Sequence, residues 1–255
     1  MFMNYQPFYG FSQNNQNRQN NRNQFSTLDF KRGDVNGDGI PDTVYIIGTK
    51  SPNPNSPFVD NIMIVVQDGR TKRFMQIPLK DRAGYEPKLF LGDFTGNGVD
   101  DIMVSIATGG SGGIYYYDIY SFLNNQPQKI FDSDVFYKEN PVTVTYRDNY
   151  KVEVLNTKTN QVYIIDISHR EPEYLAEIYD SNGKLKKPLT GDIDPLSGLY
   201  PIDFNLDGIY ELFGVQRIYG RYHADGLGDL QTDLKFSNGR FFPVTQRVAI
   251  FGSGI

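Results

Sequence analysis

Gly33-Asp34-Val35-Asn36-Gly37-Asp38-Gly39-Ile40-Pro41-Asp42 runs directly into TVYIIGTK at 43–50, so an Asp/Gly-rich turn is followed by a β-branched, apolar strand signal. The pattern returns as Gly92-Asp93-Phe94-Thr95-Gly96-Asn97-Gly98-Val99-Asp100-Asp101 before IMVSIAT at 102–108. It returns again as Asp203-Phe204-Asn205-Leu206-Asp207-Gly208-Ile209-Tyr210-Glu211 before LFGVQRIYG at 212–220. The first aspartates are 59 and 110 residues apart, and the second step is twice 55. Its midpoint is Asp148, between VTVTYR and YKVEVL, where the loop has been cut short. Repetition at this period governs the fold.

Each unit yields four strand signals: LFLGDF, DIMVSIAT, IYYYDIYSFL and QKIFDSDVF in the second, and VTVTYR, YKVEVL, QVYIIDIS and EYLAEIY in the third. EYLAEIY (Glu173 to Tyr179) reads as an alternating strand with Tyr174, Ala176 and Ile178 on one face, and no segment makes a convincing helix. A lone four-stranded meander cannot bury both of its faces, so radial repetition is expected. The expected fold is all-β, a small β-propeller with four blades of four antiparallel strands at about 26–88, 89–141, 142–198 and 199–255. An open solenoid of the same units is the alternative. Residues 1–25, with seven Asn, five Gln and no Leu, Ile or Val, read as a disordered tail. Its scattered aromatic residues suit self-assembly.

The loops share oxygen-bearing side chains at positions 1, 3, 5 and 9 and glycine at position 6. Calcium is a hard cation that takes six to eight oxygens, and such a loop can supply alternate side chains and a backbone carbonyl. The donors would be Asp34, Asn36, Asp38, the Ile40 carbonyl and Asp42 in the first loop. In the second they would be Asp93, Thr95, Asn97, the Val99 carbonyl and Asp101, and in the third Asp203, Asn205, Asp207, the Ile209 carbonyl and Glu211. About three calcium ions follow. Asp-Gly and Asn-Gly also make plain β-turns, but a turn does not explain an acid at position 9 in every loop. By carboxylate count the second loop would bind most weakly.

Asp-x-Asn-x-Asp-Gly-x-x-Asp before a hydrophobic strand, at steps of 55 to 60 residues, resembles the FG-GAP repeats of integrin α-subunits and the related VCBS-type repeats of bacterial proteins. The resemblance covers everything beyond the tail. It implies a propeller whose calcium ions stabilise the blades, with the third blade metal-free.

Composition bounds the rest. No cysteine means no disulfide, thiolate metal site or thiol nucleophile. A net charge of −5 argues against nucleic acid as a partner. No membrane span or signal peptide is visible, and a cell or spore surface, where calcium is plentiful, suits the loops better than the cytoplasm. His169 and His223 read as surface residues, and Thr108-Gly109-Gly110-Ser111-Gly112-Gly113 as a flexible hairpin. Ile114 to Tyr120 alternates, with Tyr115, Tyr117 and Ile119 on one face and Tyr116, Asp118 and Tyr120 on the other; packing between blades accounts for most of this, and an exposed tyrosine row could stack on sugar rings, while Asp192 with Asp194 or Glu171 with Glu173 could pair for glycoside hydrolysis. The leading expectation is a non-enzymatic, calcium-binding structural or binding module with an unidentified protein or carbohydrate ligand. A glycan-binding lectin and a glycan-active hydrolase are the alternatives.

Overall fold

The structure, a computed structural model, describes residues 25–79 and 82–252. The expected tail therefore lies, except for Phe25, outside the described residues.

The described residues are all-β with two short α-helices and one 3-10 turn at Leu123–Asn125. The first unit comprises β1 (Phe25–Gly33), β2 (Asp42–Lys50), β3 (Val59–Gln67) and β4 (Phe74–Pro78), an antiparallel meander in chain order. The second repeats it with β5 (Tyr85–Gly92), β6 (Asp101–Ala107), β7 (Tyr115–Ser121) and β8 (Gln128–Asp132), followed by α1 (Ser133–Glu139). Asp132 caps α1 by accepting from the Asp134 and Val135 amides, so the second half of QKIFDSDVF is helix. The third unit has only β9 (Val142–Arg147), β10 (Lys151–Asn156) and β11 (Gln161–Asp166), then α2 (Pro172–Ile178). The last has β12 (Thr190–Ile202), β13 (Glu211–Tyr219), β14 (Gly226–Ser237) and β15 (Arg240–Ala249).

Two expectations are corrected here. EYLAEIY is a helix: Pro172 presets the first turn, Tyr174, Leu175 and Ile178 turn inward at helical spacing, and Ala176, assigned to the buried face of a strand, is exposed. The four-bladed propeller is replaced by three sheets, two of four strands and one of seven in the order β11-β10-β9-β12-β13-β14-β15. The join is small. Thr190 and Gly191 of β12 pair with Thr145 and Val144 of β9, and the rest of β12 pairs with β13. Gly191 makes this junction possible, because a Cβ there would lie 2.2 Å from the Tyr219 carbonyl oxygen. Residue 198, the expected boundary between the last two units, lies inside β12.

Packing follows a row instead of a ring. One buried cluster joins the first and second units through Val44, Ile46, Ile64, Ile102, Val104 and Phe122. Another joins the second to the fourth through Phe94, Ile119, Phe131, Leu196 and Leu212. A further cluster joins the third to the fourth through Tyr146, Val152, Val154, Ile218 and Leu230. Leu212 and Ile218 share one face of β13 yet belong to different clusters, so one end of the long last sheet covers the second unit and the other end covers the third. None of these clusters joins the first unit to the third or fourth.

Candidate functional site

Each Asp loop connects the first two strands of its unit: β1 to β2, β5 to β6, and β12 to β13. Position 1 receives backbone amides. Asp34 accepts from Gly37 at 2.8 Å and Gly39 at 2.7 Å, Asp93 from Gly96 and Gly98 at 2.7 Å each, and Asp203 from Asp207 at 3.1 Å and Gly208 at 2.9 Å. Position 5 accepts from position 7 in every case: Asp38 from Ile40, Asn97 from Val99, and Asp207 from Ile209. Positions 4 and 6 have positive φ, supplied by glycine except at Leu206 (φ 60°).

Position 9 closes the loop. Asp42 accepts from the Val35 amide at 3.1 Å, Asp101 from Phe94 at 3.0 Å, and Glu211 from Phe204 at 3.4 Å. The acid that returns at position 9 therefore has a role that needs no ion. Position 3 differs between loops: Asn36 accepts from Asp38, Thr95 donates its hydroxyl to Asp93, and Asn205 donates to Asp207.

The loops form a column. The Asp100 amide, at position 8 of the second loop, donates to the Asp34 carbonyl of the first at 3.0 Å. The Tyr210 amide, at position 8 of the last, donates to the Asp93 carbonyl of the second at 2.8 Å. The same bond between the same positions thus links neighbouring loops. At the shortened loop between β9 and β10, Asp148 instead accepts from the Leu185 amide.

The charges are unevenly met. Arg70 donates to a carboxylate oxygen of Asp38 at 2.7 Å and to its carbonyl at 2.9 Å, and this hydrogen bond holds the Asp38 carboxyl below its ordinary range. Lys235 lies 3.4 Å from Glu211. The second loop has no such partner among the described residues. Burial pushes Asp101 up to about 6 and raises Asp42 as well, and burial with the nearby charges of Asp34 and Asp93 raises Asp100. The side-chain oxygens are the hard donors calcium prefers, but they are turned to backbone amides. Among the described residues no three His, Cys, Asp or Glu side chains are grouped to hold a metal ion.

If the loops are held by these hydrogen bonds, Asp93→Ala should cost about 1–2 kcal/mol, the worth of two ordinary bonds, in urea unfolding in the presence of chelator. An unchanged midpoint would show that the Gly96 and Gly98 amides are equally well served by water.

The other sequence candidates separate. Tyr117 and Ile119 face the cluster shared with the fourth unit, while Tyr116 and Tyr120 face the first, so no exposed tyrosine row exists on β7. Asp192 is exposed and Asp194 buried, and Glu171 and Glu173 lie exposed at the start of α2, so neither acid pair is gathered for hydrolysis. His169 is exposed. His223 is not a plain surface residue: it is half-buried, its Nε2 lies 2.8 Å from Asp194, and its ring packs on Tyr219. The glycine run joins β6 to β7, with the Thr108 amide donating to the Ile114 carbonyl, and Gly112 lies against His223. Sequence carried no signal for that contact, because Gly112 comes from the second unit and Asp194, Tyr219 and His223 from separate segments of the last.

Comparison with known proteins fixes the family. The protein YybI of Bacillus subtilis (strain 168) is 48% identical over 224 residues, an alignment covering 88% of this chain and 85% of the relative. The chain belongs to the YybI family. The YybI C-terminal domain matches residues 140–249, which span β9 to β15, so the region recognised in YybI proteins coincides with the seven-stranded sheet. Among solved structures, a Bacillus licheniformis rhamnogalacturonan lyase, PL11, matches with 17% identity and a TM-score of 0.36. It covers 88% of this chain, which spans about a third (34%) of the lyase, and a likeness that low carries no weight for fold or activity of the YybI family.

Proposed function

We propose that this YybI-family chain is a non-enzymatic structural or binding module of a cell-surface or spore-coat-like layer, distantly related to FG-GAP and VCBS-type repeats, whose three Asp loops take up calcium as a stabiliser. The observation that best supports this reading is the column: three loops of one pattern, stacked by one repeated backbone bond, at the seams between packed sheets. A site built this way can tie units together, and its carboxylates are committed to the scaffold instead of facing a substrate. Calcium would compete with the amides for those oxygens. The surroundings favour a different ranking from the carboxylate count, because the second loop holds Asp100 beside the neighbouring Asp34 and has no basic partner among the described residues, so it is the first candidate for an ion.

The test is calorimetric titration of calcium into chelator-stripped protein, with thermal unfolding alongside. Calcium at a hundred times its Kd stabilises by about 2.7 kcal/mol per site, and magnesium should do less. Asp101→Asn should remove the tightest step. Absence of both heat and a Tm shift at millimolar calcium would leave the loops as hydrogen-bonded turns and remove the ion from the proposal.

A further inference from the structure

A cavity of about 320 Å³ opens beside the last sheet, lined by Ser197, Arg217, Asp229, Phe251 and the bare backbone of Gly112 and Gly226. Arg217 on β13 and Asp229 on β14 are direct partners in the strand register, so both charged groups stand at one level of the sheet. Cross-strand opposite charges ordinarily pair. Here they do not: among the described residues the Arg217 side chain has no hydrogen bond and no ion pair within 4.0 Å, and the Asp229 carboxylate feels the Arg217 charge without a direct bond to it. Both are half-buried.

We propose that this cavity binds a small zwitterion of the α-amino acid type, with Arg217 receiving the carboxylate and Asp229 the ammonium. The ligand class follows from charge. A guanidinium presents parallel donors to a carboxylate, and a half-buried carboxylate gains from a cation. A ligand with a single charge would match one wall and leave the other unmet at a desolvation cost, whereas a zwitterion matches both. The volume is at the small end of ligand sites, and Phe251 at the rim offers an apolar face to a side chain. Burial raises the Asp229 carboxyl, and Arg217 opposes this only in part, as expected for a charge whose partner is missing.

Glycine keeps the cavity open. A Cβ at Gly226 would lie 3.1 Å from Nη2 of Arg217, and one at Gly112 would lie 3.3 Å from the His223 ring. A larger residue at Gly226 should therefore fill the space and crowd the Arg217 guanidinium without removing either charge.

The experiment is calorimetric titration of the intact chain with L-phenylalanine, L-leucine and L-glutamate, against N-acetyl-L-phenylalanine and L-phenylalaninamide, each of which lacks one charge, and glucuronate, which has only a carboxylate. Free amino acids should bind, and both blocked forms should bind at least tenfold more weakly. Arg217→Gln and Asp229→Asn should each weaken binding at least tenfold with circular dichroism and Tm retained, and Gly226→Val should abolish it. If Gly226→Val fails to fold, the two charge variants carry the test. The proposal is overturned by absence of binding at millimolar amino acid, by blocked forms binding equally well, by glucuronate binding in their stead, or by charge variants that bind like the parent.

Discussion

Replacing Arg82 with methionine should cost about 3–5 kcal/mol of stability, one of the two largest effects expected of a single side chain here. Arg82 lies in the connection between β4 and β5, and its side chain is only 4% exposed. Nε and Nη2 each donate to Asp118 at 3.1 Å, Nη2 also to Asp132 at 3.2 Å, and Nη1 to Asp134 at 2.5 Å, while the guanidinium lies over the Tyr116 ring. Lys129 adds bonds to Asp118 and Asp132. Asp118 and Asp132 are cross-strand partners on β7 and β8, so without Arg82 two carboxylates face each other at the edge of the second sheet with only Lys129 between them. Asp134 is half exposed and contributes little.

The pH dependence separates this network from simple packing. Burial acts to raise the Asp132 carboxyl, but the hydrogen bond and charge of Lys129, helped by Arg82, outweigh it and hold it below its ordinary value. A carboxyl depressed in the folded state stabilises the fold above its unfolded pKa, and that contribution is lost as pH falls through the folded pKa. The gap between parent and Arg82→Met in urea unfolding should therefore be widest at neutral pH and narrow in acid. Adding Asp118→Asn should recover part of the loss. A gap that stays constant with pH would assign the cost to the arginine's packing on Tyr116.

What was legible in the sequence is what local chemistry dictates. The loops announce themselves through glycines at positions of positive φ and side chains that accept amides two to five residues on, and both are written in adjacent letters. Strand content follows from β-branched and aromatic runs. The joining of the last two units was not legible, since it rests on two residue pairs between β9 and β12, more than forty residues apart in the chain. Nor was the row order of units, because whether the inner face of β13 meets one neighbour or two depends on strand length, not on alternation. EYLAEIY misled because Tyr174 and Ile178 are four apart, a spacing shared by strand and helix. Pro172 and exposed Ala176 decide for helix, and only the proline is visible in the sequence. The amide that the position-9 acid accepts sits at position 2, across the loop, so that bond is not written in adjacent letters.

Asp225→Ala should be comparably damaging, again about 3–5 kcal/mol, because it removes the carboxylate that ties the third unit to the fourth. Asp225 is 2% exposed and accepts from Tyr174 Oη at 2.8 Å, Tyr146 Oη at 3.3 Å and the Arg221 amide at 3.0 Å, with Arg170 at 3.6 Å. The two tyrosine hydroxyls are 2.9 Å apart. Tyr146, Arg170 and Tyr174 come from the third unit, Arg221 and Asp225 from the fourth, so truncation orphans buried groups on both sides. There is no slack at this junction, since a Cβ at Gly220 would lie 2.1 Å from Tyr146 Oη. Asp225→Asn keeps an acceptor for Tyr174 and loses the charge, so it should cost less than the alanine variant. Burial, with the Asp225 charge, pushes Tyr146 up to about 12, opposed by its bond to Tyr174. A tyrosine whose folded pKa is raised contributes stability that is present below the unfolded value near 10 and lost as pH rises towards 12. The parent should thus unfold in alkali over that window with ultraviolet absorbance reporting tyrosinate, and in Asp225→Asn tyrosine ionisation should begin at lower pH because the neighbouring negative charge is gone. Coincident alkaline titrations of parent and Asp225→Asn would show that burial alone governs these tyrosines and that the carboxylate joins the units by geometry, not by charge.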